Sequence, residues 1–535
     1  MTVTRETATE PTQSARRGLR RSLAALAGLL AAAVARGIAE LAAAVVGPES
    51  SPVVAVGDAV ITLTPEAVKN FAITTFGQND KFALVVGTLI VVALYSLAVG
   101  LVSLRSRRAG ALGIAVFGFV GFVAAATRPA GGLLDGLPAL VGAVAGVVAL
   151  LRLIDLLPDA VPGPLDEALG GGARQGAELD RRRFFVTTGI AVGVAVLAGA
   201  GGKLLQLRFD VAALRDELTL PRAASLAAAL PPGADLSTKV HGLTPLFTAD
   251  RDFYRVDTAI TVPQIRPADY RLSLTGMFDS PRSYTLADLM GRSDLIERDI
   301  TITCVSNEIG GGLAGTARWI GVPLGTLLRE NGVRAGSDQL VCRSVDGMTI
   351  GAPTRSALEV DDAMLAFGMN GEPLPVEHGF PVRMLIPGLY GYVSACKWLS
   401  RIQATTYDAF DAYWVQRQWS AAGPIKVASR IDTPSDQRSF PAGRRSIAGV
   451  AWAQTRGIAR VEVKVDGEDW RDAELSPEVD ADVWRQWLLP YDFRAGTHTV
   501  TVRATTADGE RQTGDRVDPF PDGASGWHSI QVTAR

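Results

Sequence analysis

The chain has 535 residues, with 53 lysines and arginines against 55 aspartates and glutamates, so its formal net charge is −2. That balance gives no electrostatic footprint for nucleic acid, and three cysteines are too few for a disulfide scaffold. Hydrophobic residues make up 47% and charged ones 20%, but the average joins two unlike parts. Up to about Leu205 the chain is Ala, Val, Leu and Gly with few charges; beyond it Trp, Pro and regular charges are mixed in. A chain this long is expected to hold several domains.

Five apolar segments come first: Ser22–Val46, Phe82–Leu104, Ala109–Thr127, Leu133–Ile154 and Phe184–Gly202. Each is near the length that crosses a bilayer. The first carries Arg36 and Glu40, four apart on one helical face and so able to pair; an interfacial amphipathic helix is its other reading. Arg16, Arg17, Arg20 and Arg21 precede this segment, Arg105, Arg107 and Arg108 follow the second, Arg152 closes the fourth, and Arg181, Arg182 and Arg183 precede the fifth. All fall on one side if the amino terminus is cytoplasmic and all five segments span. The expectation is therefore a multi-pass protein of the cell membrane, with everything after Gly202 on the extracytoplasmic side.

The run Asp180-Arg181-Arg182-Arg183-Phe184-Phe185 resembles a twin-arginine export signal set inside the chain, with an ordinary positive-inside flank as the alternative. Such a route carries domains already folded around a cofactor, which predicts a cofactor in the chain beyond Gly202. The first histidine is His241, so no haem is expected in the apolar segments. Apart from Arg36 and Glu40 these segments lack the charged or broken helices of a transporter.

Residues 204–249 read as a tether, Ala-rich with Pro-Pro-Gly at Pro231–Gly233. In 250–422 short strands and helices alternate: strand over Tyr270–Gly276, helix over Leu286–Met290, strand over Asp299–Cys304, helix over Pro323–Asn331, and a buried strand over Phe380–Gly388 that stops at Pro-Gly. No Rossmann fingerprint or P-loop appears. In 423–535 apolar and polar residues alternate at period two, with turns at Asp466-Gly467 and Asp508-Gly509. That pattern predicts an all-β immunoglobulin-like sandwich. The organisation is thus an α-helical membrane domain over 1–203, the tether, a mixed α+β domain, and the sandwich.

Cys304 stands where the strand "DITITC" breaks into a Gly-rich turn. A lone free cysteine is usually just a small buried hydrophobe. Three further stretches change that reading. The run Met364–Trp398, "MLAFGMNGEPLPVEHGFPVRMLIPGLYGYVSACKW", is one. Cys304 with Asn307, spaced after "FYRVDTAITVP" (Phe253–Pro263), is the second, and "YWVQRQW" (Tyr413–Trp419) is the third.

On these motifs the chain from about residue 250 onward resembles the sulfite oxidase family of molybdopterin enzymes, and its last part looks like that family's dimerisation domain. The resemblance implies a molybdenum–molybdopterin cofactor with Cys304 as the one protein ligand to the metal. A soft thiolate suits such a site, and a strand end fixes its direction. It further implies that His378, Arg383 and Lys397 line the cofactor, that Arg255 is the active-site arginine, and that Tyr254, Asn307, Asp346 and Ser394 also approach the cofactor, with Asp257, Gly347 and Met348 beside them. The expected partners are a small-molecule substrate, the membrane, an electron-transfer partner that the sequence does not name, and a second copy of the chain through the sandwich.

Three departures put the substrate in doubt. Trp419 stands where sulfite oxidases have a tyrosine near the metal, Glu308 and Ile309 stand where sulfite-binding members carry arginines, and Arg255-Val256-Asp257 replaces Arg-Asn-His. With Cys304, Arg255 and Trp419 as catalytic residues, the expectation is oxygen-atom or two-electron transfer, with poor sulfite oxidation. The alternative is a non-catalytic, membrane-tethered binding or sensor protein that keeps the fold. Cys342 reads as a strand-core residue and Cys396 as packing under the pterin loop; a disulfide between them is open outside the cytoplasm.

Overall fold

The computed structural model describes residues 13–64, 68, 80–128, 131–157, 172–206 and 210–535. It divides into two compact units, one of residues 1–210 with 258–261 and one of 211–257 with 262–535.

The first unit is helical: α1 (Gln13–Val46), α2 (Pro52–Leu63), α3 (Asp80–Ser103), α4 (Arg107–Ala126), α5 (Leu137–Asp155) and α6 (Gly172–Gln206). Among the described residues five stretches are long and apolar enough to cross a membrane: Arg17–Val46, Ala83–Ser103, Arg107–Ala126, Leu133–Asp155 and Arg183–Gln206. They coincide with the five expected segments; α2, at 12 residues, is an addition too short to span.

Small residues let these helices approach closely. A Cβ on Gly28 of α1 would lie 2.0 Å from the carbonyl oxygen of Ser96 on α3, and one on Gly142 of α5 would lie 2.5 Å from that of Ala35 on α1. Large apolar side chains such as Leu94, Val91 and Leu197 face outward, as lipid-facing residues do. The expected Arg36–Glu40 pair is not formed. Glu40 is buried and accepts from the Ser51 hydroxyl at 2.7 Å and from Gln206 Nε2 at 3.3 Å. Neutral donors brought by the α1–α2 connection and by α6 satisfy the carboxylate without the arginine. The Arg181–Arg183 run lies on α6; the side chains of Arg181 and Arg182 fall outside the described residues.

The second unit begins with ten strands: β1 (Arg271–Gly276), β2 (Ser283–Thr285), β3 (Ile296–Thr303), β4 (Ala314–Pro323), β5 (Gln339–Ser344), β6 (Thr349–Pro353), β7 (Met364–Met369), β8 (Glu372–Pro373), β9 (Arg383–Leu385) and β10 (Leu399–Thr405). They form two sheets, ordered β2-β1-β10-β5-β6 and β3-β4-β7-β8, with β9 added on β7. Short helices over Leu286–Met290 and Leu324–Glu330 sit where the sequence puts them. The strand read over Phe380–Gly388 shrinks to β9, because Pro381 and Pro387 lack the N–H a ladder needs. Leu272, Leu327, Leu399 and Ile402 build one core; Ile300, Trp319, Met364 and Phe380 build another behind β3 and β4. Cys342 belongs to the first core, and all three cysteines are buried free thiols, so the Cys342–Cys396 disulfide is absent.

Nine more strands complete the unit: β11 (Ala428–Thr433), β12 (Ser439–Phe440), β13 (Gly443–Trp452), β14 (Ile458–Val465), β15 (Arg471–Asp472), β16 (Glu474–Leu475), β17 (Arg485–Phe493), β18 (Gly496–Thr506) and β19 (His528–Ala534). They make two sheets, β11-β13-β17-β16 and β12-β19-β18-β14-β15. Alternation at period two puts Val500, Val502 and Ala504 of β18 on one buried face. They share a core with Val461 and Val463 of β14 and with Ile447, Trp487 and Leu489 of the other sheet.

The stretch read as a tether is docked from Val211 onward. Val211, Leu236, Leu243 and Leu246 are buried, the Leu236 N–H donates to Gln486, and the Trp484 indole donates to the Leu246 carbonyl at 2.8 Å. Its scattered apolar residues find partners among strands far along the chain.

Candidate active site around Cys304

β3 ends at Thr303, and Cys304 is the first residue beyond it. The turn is closed by its own backbone. Cys304 N–H donates to Leu313 O at 2.9 Å, Asn307 N–H donates to Cys304 O at 3.0 Å, and Leu313 N–H donates to the Asn307 side-chain oxygen at 2.7 Å. Gly310 has φ +78°, and a Cβ there would lie 2.3 Å from His528 Nε2 of β19, so only glycine fits.

The C-terminal sheets hold the same segment from outside. Thr301 N–H donates to Asp482 O at 2.9 Å, Trp484 N–H to Thr301 Oγ1 at 2.7 Å, Gln454 Nε2 to Thr301 O at 2.8 Å, and Arg430 Nη1 to Gly311 O at 2.9 Å. The thiol therefore has a fixed direction. Burial pushes its pKa up, opposed by the N–H and hydroxyl of Ser306 and by the charge of Lys397.

Facing it are a buried neutral histidine and two buried cations from the 376–398 stretch. His378 Nε2 lies 3.2 Å from Asp250 O. A carbonyl can only accept, so Nε2 carries the proton and Nδ1 presents a bare lone pair. Burial, helped by the charges of Arg383 and Lys397, pulls this histidine down to about 3, and Nδ1 is buried without a partner. Arg383 is 2% exposed; its Nη1 donates to His378 O at 3.1 Å and its guanidinium lies 5.1 Å from the Trp319 ring centre. Its Nε is buried and unpartnered, and among the described residues no carboxylate pairs with it. Burial lowers Arg383 to about 10, which leaves it cationic. Lys397, lowered by burial to about 8, reaches Asp257 Oδ2 at 3.0 Å and Glu377 O at 3.1 Å. Arg255 shares the same Asp257 oxygen at 2.8 Å.

Two phenols complete the surroundings. Tyr254 stacks on Phe253, which meets His378 and Trp319 edge-on. Burial first, then the Cys304 charge, push the Tyr254 phenol up, and Tyr390 is pushed up to about 12, chiefly by burial. Both are neutral donors near pH 7.

The structure thus brings together Cys304, Tyr254, Arg255, His378, Arg383 and Lys397. Asn307 serves its own turn. Ser394 spends its hydroxyl on Leu389 O and Tyr390 O, at 2.9 and 3.0 Å. Asp346 accepts from Met348 N–H at 3.2 Å, and its charge reaches Cys396 rather than Cys304. Trp419 is 9% exposed and packs in one apolar cluster with Val305 and Tyr390. Its neighbours Phe520, Tyr392 and Trp414 lie at ring distances of 5.3, 6.0 and 6.2 Å, and its indole N–H is buried without a partner. Glu308 is exposed. Tyr390, Ser306, His528 and Phe520 were not singled out from the sequence. Tyr390 stood within the quoted Pro-Gly-x-x-Gly run and Ser306 between Cys304 and Asn307, whereas His528 and Phe520 show no local signal.

The family described as oxidoreductase molybdopterin binding domain matches residues 259–414. Mouse (Mus musculus) mitochondrial sulfite oxidase is 28% identical over 324 residues, covering 51% of this chain and 59% of the mouse protein. This part of the chain is a molybdopterin-binding oxidoreductase domain similar to sulfite oxidases. The NADH nitrate reductase of Solanum lycopersicum is 27% identical over 285 residues, 42% of this chain and 31% of that protein. The crystal structure of the sulfane dehydrogenase SoxCD from Paracoccus pantotrophus has a TM-score of 0.48 and 23% identity, covering 55% of this chain and 82% of that one. The chain spans about three-fifths of the mouse sulfite oxidase.

The side chains fit the family's cofactor. A thiol at a fixed strand end suits a soft-ligand metal. The unpartnered Nε of buried Arg383 suits a phosphate or carbonyl acceptor, and the bare Nδ1 of His378 suits an N–H or O–H of a heterocycle. The Ser344 hydroxyl, opposite Leu399 on β10, is another buried orphan.

Proposed function

We propose that the chain is a membrane-anchored molybdenum–molybdopterin oxidoreductase that acts, outside the cytoplasmic membrane, on a small neutral substrate by oxygen-atom or two-electron transfer. The observation that carries this reading is the meeting of an oriented thiol, Cys304, with a buried arginine and histidine whose nitrogens lack partners. Buried polar groups without partners are rare and call for a ligand.

The bound metal supplies the two-electron change. The chain's residues do the rest. Cys304 ligates, Arg383 and Lys397 hold anionic and polar parts of the pterin, and His378 accepts from it. Tyr254 and Tyr390, kept neutral by burial, donate hydrogen bonds toward the reacting side. Lys397, with a pKa of about 8, is a proton donor that works near neutral pH. The free indole N–H of Trp419 donates to a substrate oxygen, while Tyr392, Trp414 and Phe520 exclude water around it.

A neutral substrate is favoured because Asp257 offsets part of the charge of Arg255 and Lys397, and no arginine follows Cys304 in its turn. An anion such as sulfite finds little net attraction there; a sulfoxide needs none. The two C-terminal sheets with one shared core support an immunoglobulin-like sandwich, and the resemblance of this part to a dimerisation domain makes it the proposed dimer surface. The one-sided arginine clusters support the extracytoplasmic placement, and the Arg181-Arg182 run supports export of a folded, cofactor-loaded domain.

The test is turnover of the purified chain with sulfite and an artificial acceptor, beside turnover of sulfoxides with a reduced dye. The expected result is sulfoxide turnover and weak sulfite oxidation. Sulfite turnover with kcat/KM on the order of 10⁵ M⁻¹ s⁻¹ or more contradicts the substrate reading. No turnover of any kind in metal-loaded protein leaves the binding-protein alternative.

A further inference from the structure

A cavity of about 110 Å³ opens within the helical unit, among α1, α2, α3, α4 and α5. Its walls are mostly Ala, Gly, Val and Leu. The polar exceptions are Arg36, Thr88, Tyr95 and Ser96. Tyr95 donates to Gly113 O at 2.9 Å, and Ser96 donates to Val92 O at 2.7 Å, so these hydroxyl protons are already used. The Tyr95 ring stacks on Phe117 at 5.7 Å, and both line the cavity.

Arg36 is different. Among the described residues it makes no ion pair and no hydrogen bond, and Glu40, one turn away, is held by Ser51 and Gln206. It lies roughly 15 Å along α1 from the end of that helix at Val46, near half the ~30 Å apolar thickness of a bilayer. An unpaired cation at that depth is costly and marks a site where something binds.

The surroundings say what kind of molecule. The space is of the order of the ~150 Å³ apolar cavity that admits benzene, so it takes one ring and not a bulky head group. A phosphate head group drawn to mid-depth would have to leave water. A neutral carbonyl needs no such transfer and accepts well from a guanidinium. Two stacked aromatic side chains offer a flat neighbour for a ring, and the open side of the cavity leaves room for a tail among lipid chains.

We propose that this cavity binds the head group of a lipid-soluble quinone, with a carbonyl oxygen accepting from Arg36 and the ring beside Tyr95 and Phe117. The site is defined by the helices alone and does not rest on the molybdenum reading.

Binding is measured on the full chain in lipid nanodiscs, by equilibrium titration with a benzoquinone bearing a ten-carbon tail, without turnover. The expected result is saturation near one per chain, weakened at least tenfold in Arg36→Gln and in Ala32→Leu, which narrows the cavity, with Arg36→Lys between. Circular dichroism checks the helices of each variant. Where a variant does not fold, a photoreactive quinone on the wild-type chain replaces it, and label on the α1 or α3 peptides bearing Arg36 or Tyr95 supports the site. No saturation, wild-type binding by Arg36→Gln, equal competition by a plain alkane, or label spread over all helices overturns it. Because no metal takes part, such a failure leaves the molybdopterin reading standing.

Discussion

The C-terminal double sheet and the cradle facing Cys304 bury their side chains equally deeply, for different ends. In the double sheet the buried faces are apolar, with Ile447, Val461, Val500 and Val502 all fully covered. Its unpartnered Trp487 indole N–H is a neutral group, not a charge. In the cradle the equally buried groups are His378 and Arg383, each with a nitrogen that no protein atom satisfies. An unmade buried hydrogen bond costs about 1–3 kcal/mol, and more for a charged group. Stability is stored in the first region and deferred in the second until a ligand arrives. The two are joined, since Asp482, Trp484, Gln454 and Arg430 of the C-terminal part grip β3 and the Cys304 turn.

The largest expected effect separates chemistry from fold. Cys304→Ser should lower turnover by about 10³-fold or more, because an alkoxide is a poor substitute for a thiolate, while the thermal midpoint shifts by only a few degrees. Retained metal-dependent turnover would remove Cys304 from the centre. In the other region the sign reverses. Ile447→Ala should cost about 2–5 kcal/mol in chemical denaturation, yet leave pterin content per folded chain unchanged.

A sharper probe is Arg383→Met. Replacing an unpaired buried cation by an apolar side chain of similar length should leave cofactor-free protein as stable or about 1–3 kcal/mol more stable. It should also cut pterin retention at least tenfold. Loss of stability in the cofactor-free state would show that Arg383 is structural.

Smaller effects come from protons. His378 is held well below an ordinary histidine, at about 3, so the unfolded chain binds a proton that the native one does not between about pH 6.5 and 3. Stability of cofactor-free protein therefore falls on acidification through that window. Asp482 is raised to about 7 by burial, with Asp362 and Asp480 adding their charge against the pull of the Thr455 N–H. Its contribution is full below about pH 4 and is lost as pH rises toward 7. Asp482→Asn keeps an acceptor for Thr455 and should flatten the melting curve's pH dependence between 4 and 7, raising stability above 7. An unchanged pH profile would mean that the carboxyl is ionised throughout.

Much of the fold was legible because it is written locally. The five apolar helices, the strand running up to Cys304 and the alternation of β18 each arise from a period in the sequence. The Met364–Trp398 run carried His378, Arg383 and Lys397 to their places. What the sequence hid was non-local. The 211–249 stretch looked like a tether because its apolar residues match no period, yet Leu236 and Leu246 meet Gln486 and Trp484 across more than two hundred residues. Glu40 was paired with Arg36 on helical spacing alone, whereas Ser51 and Gln206 arrive from other segments. His528 against Gly310 and Phe520 against Trp419 are likewise contacts that no spacing rule reaches. The turn-holding hydrogen bonds of Asn307 and Ser394 are also invisible to a spacing rule.

The central claim is that the unsatisfied nitrogens of His378 and Arg383 and the oriented thiol of Cys304 exist to hold a molybdenum–pterin group. The most direct measurement is molybdenum and pterin content of the full chain purified from membranes, determined by elemental analysis and by fluorescence of the released pterin. One of each per chain in the wild type, with molybdenum lost from Cys304→Ser and pterin lost from Arg383→Met, is the predicted result. Protein that folds fully, is supplied with the cofactor and still carries neither would contradict it.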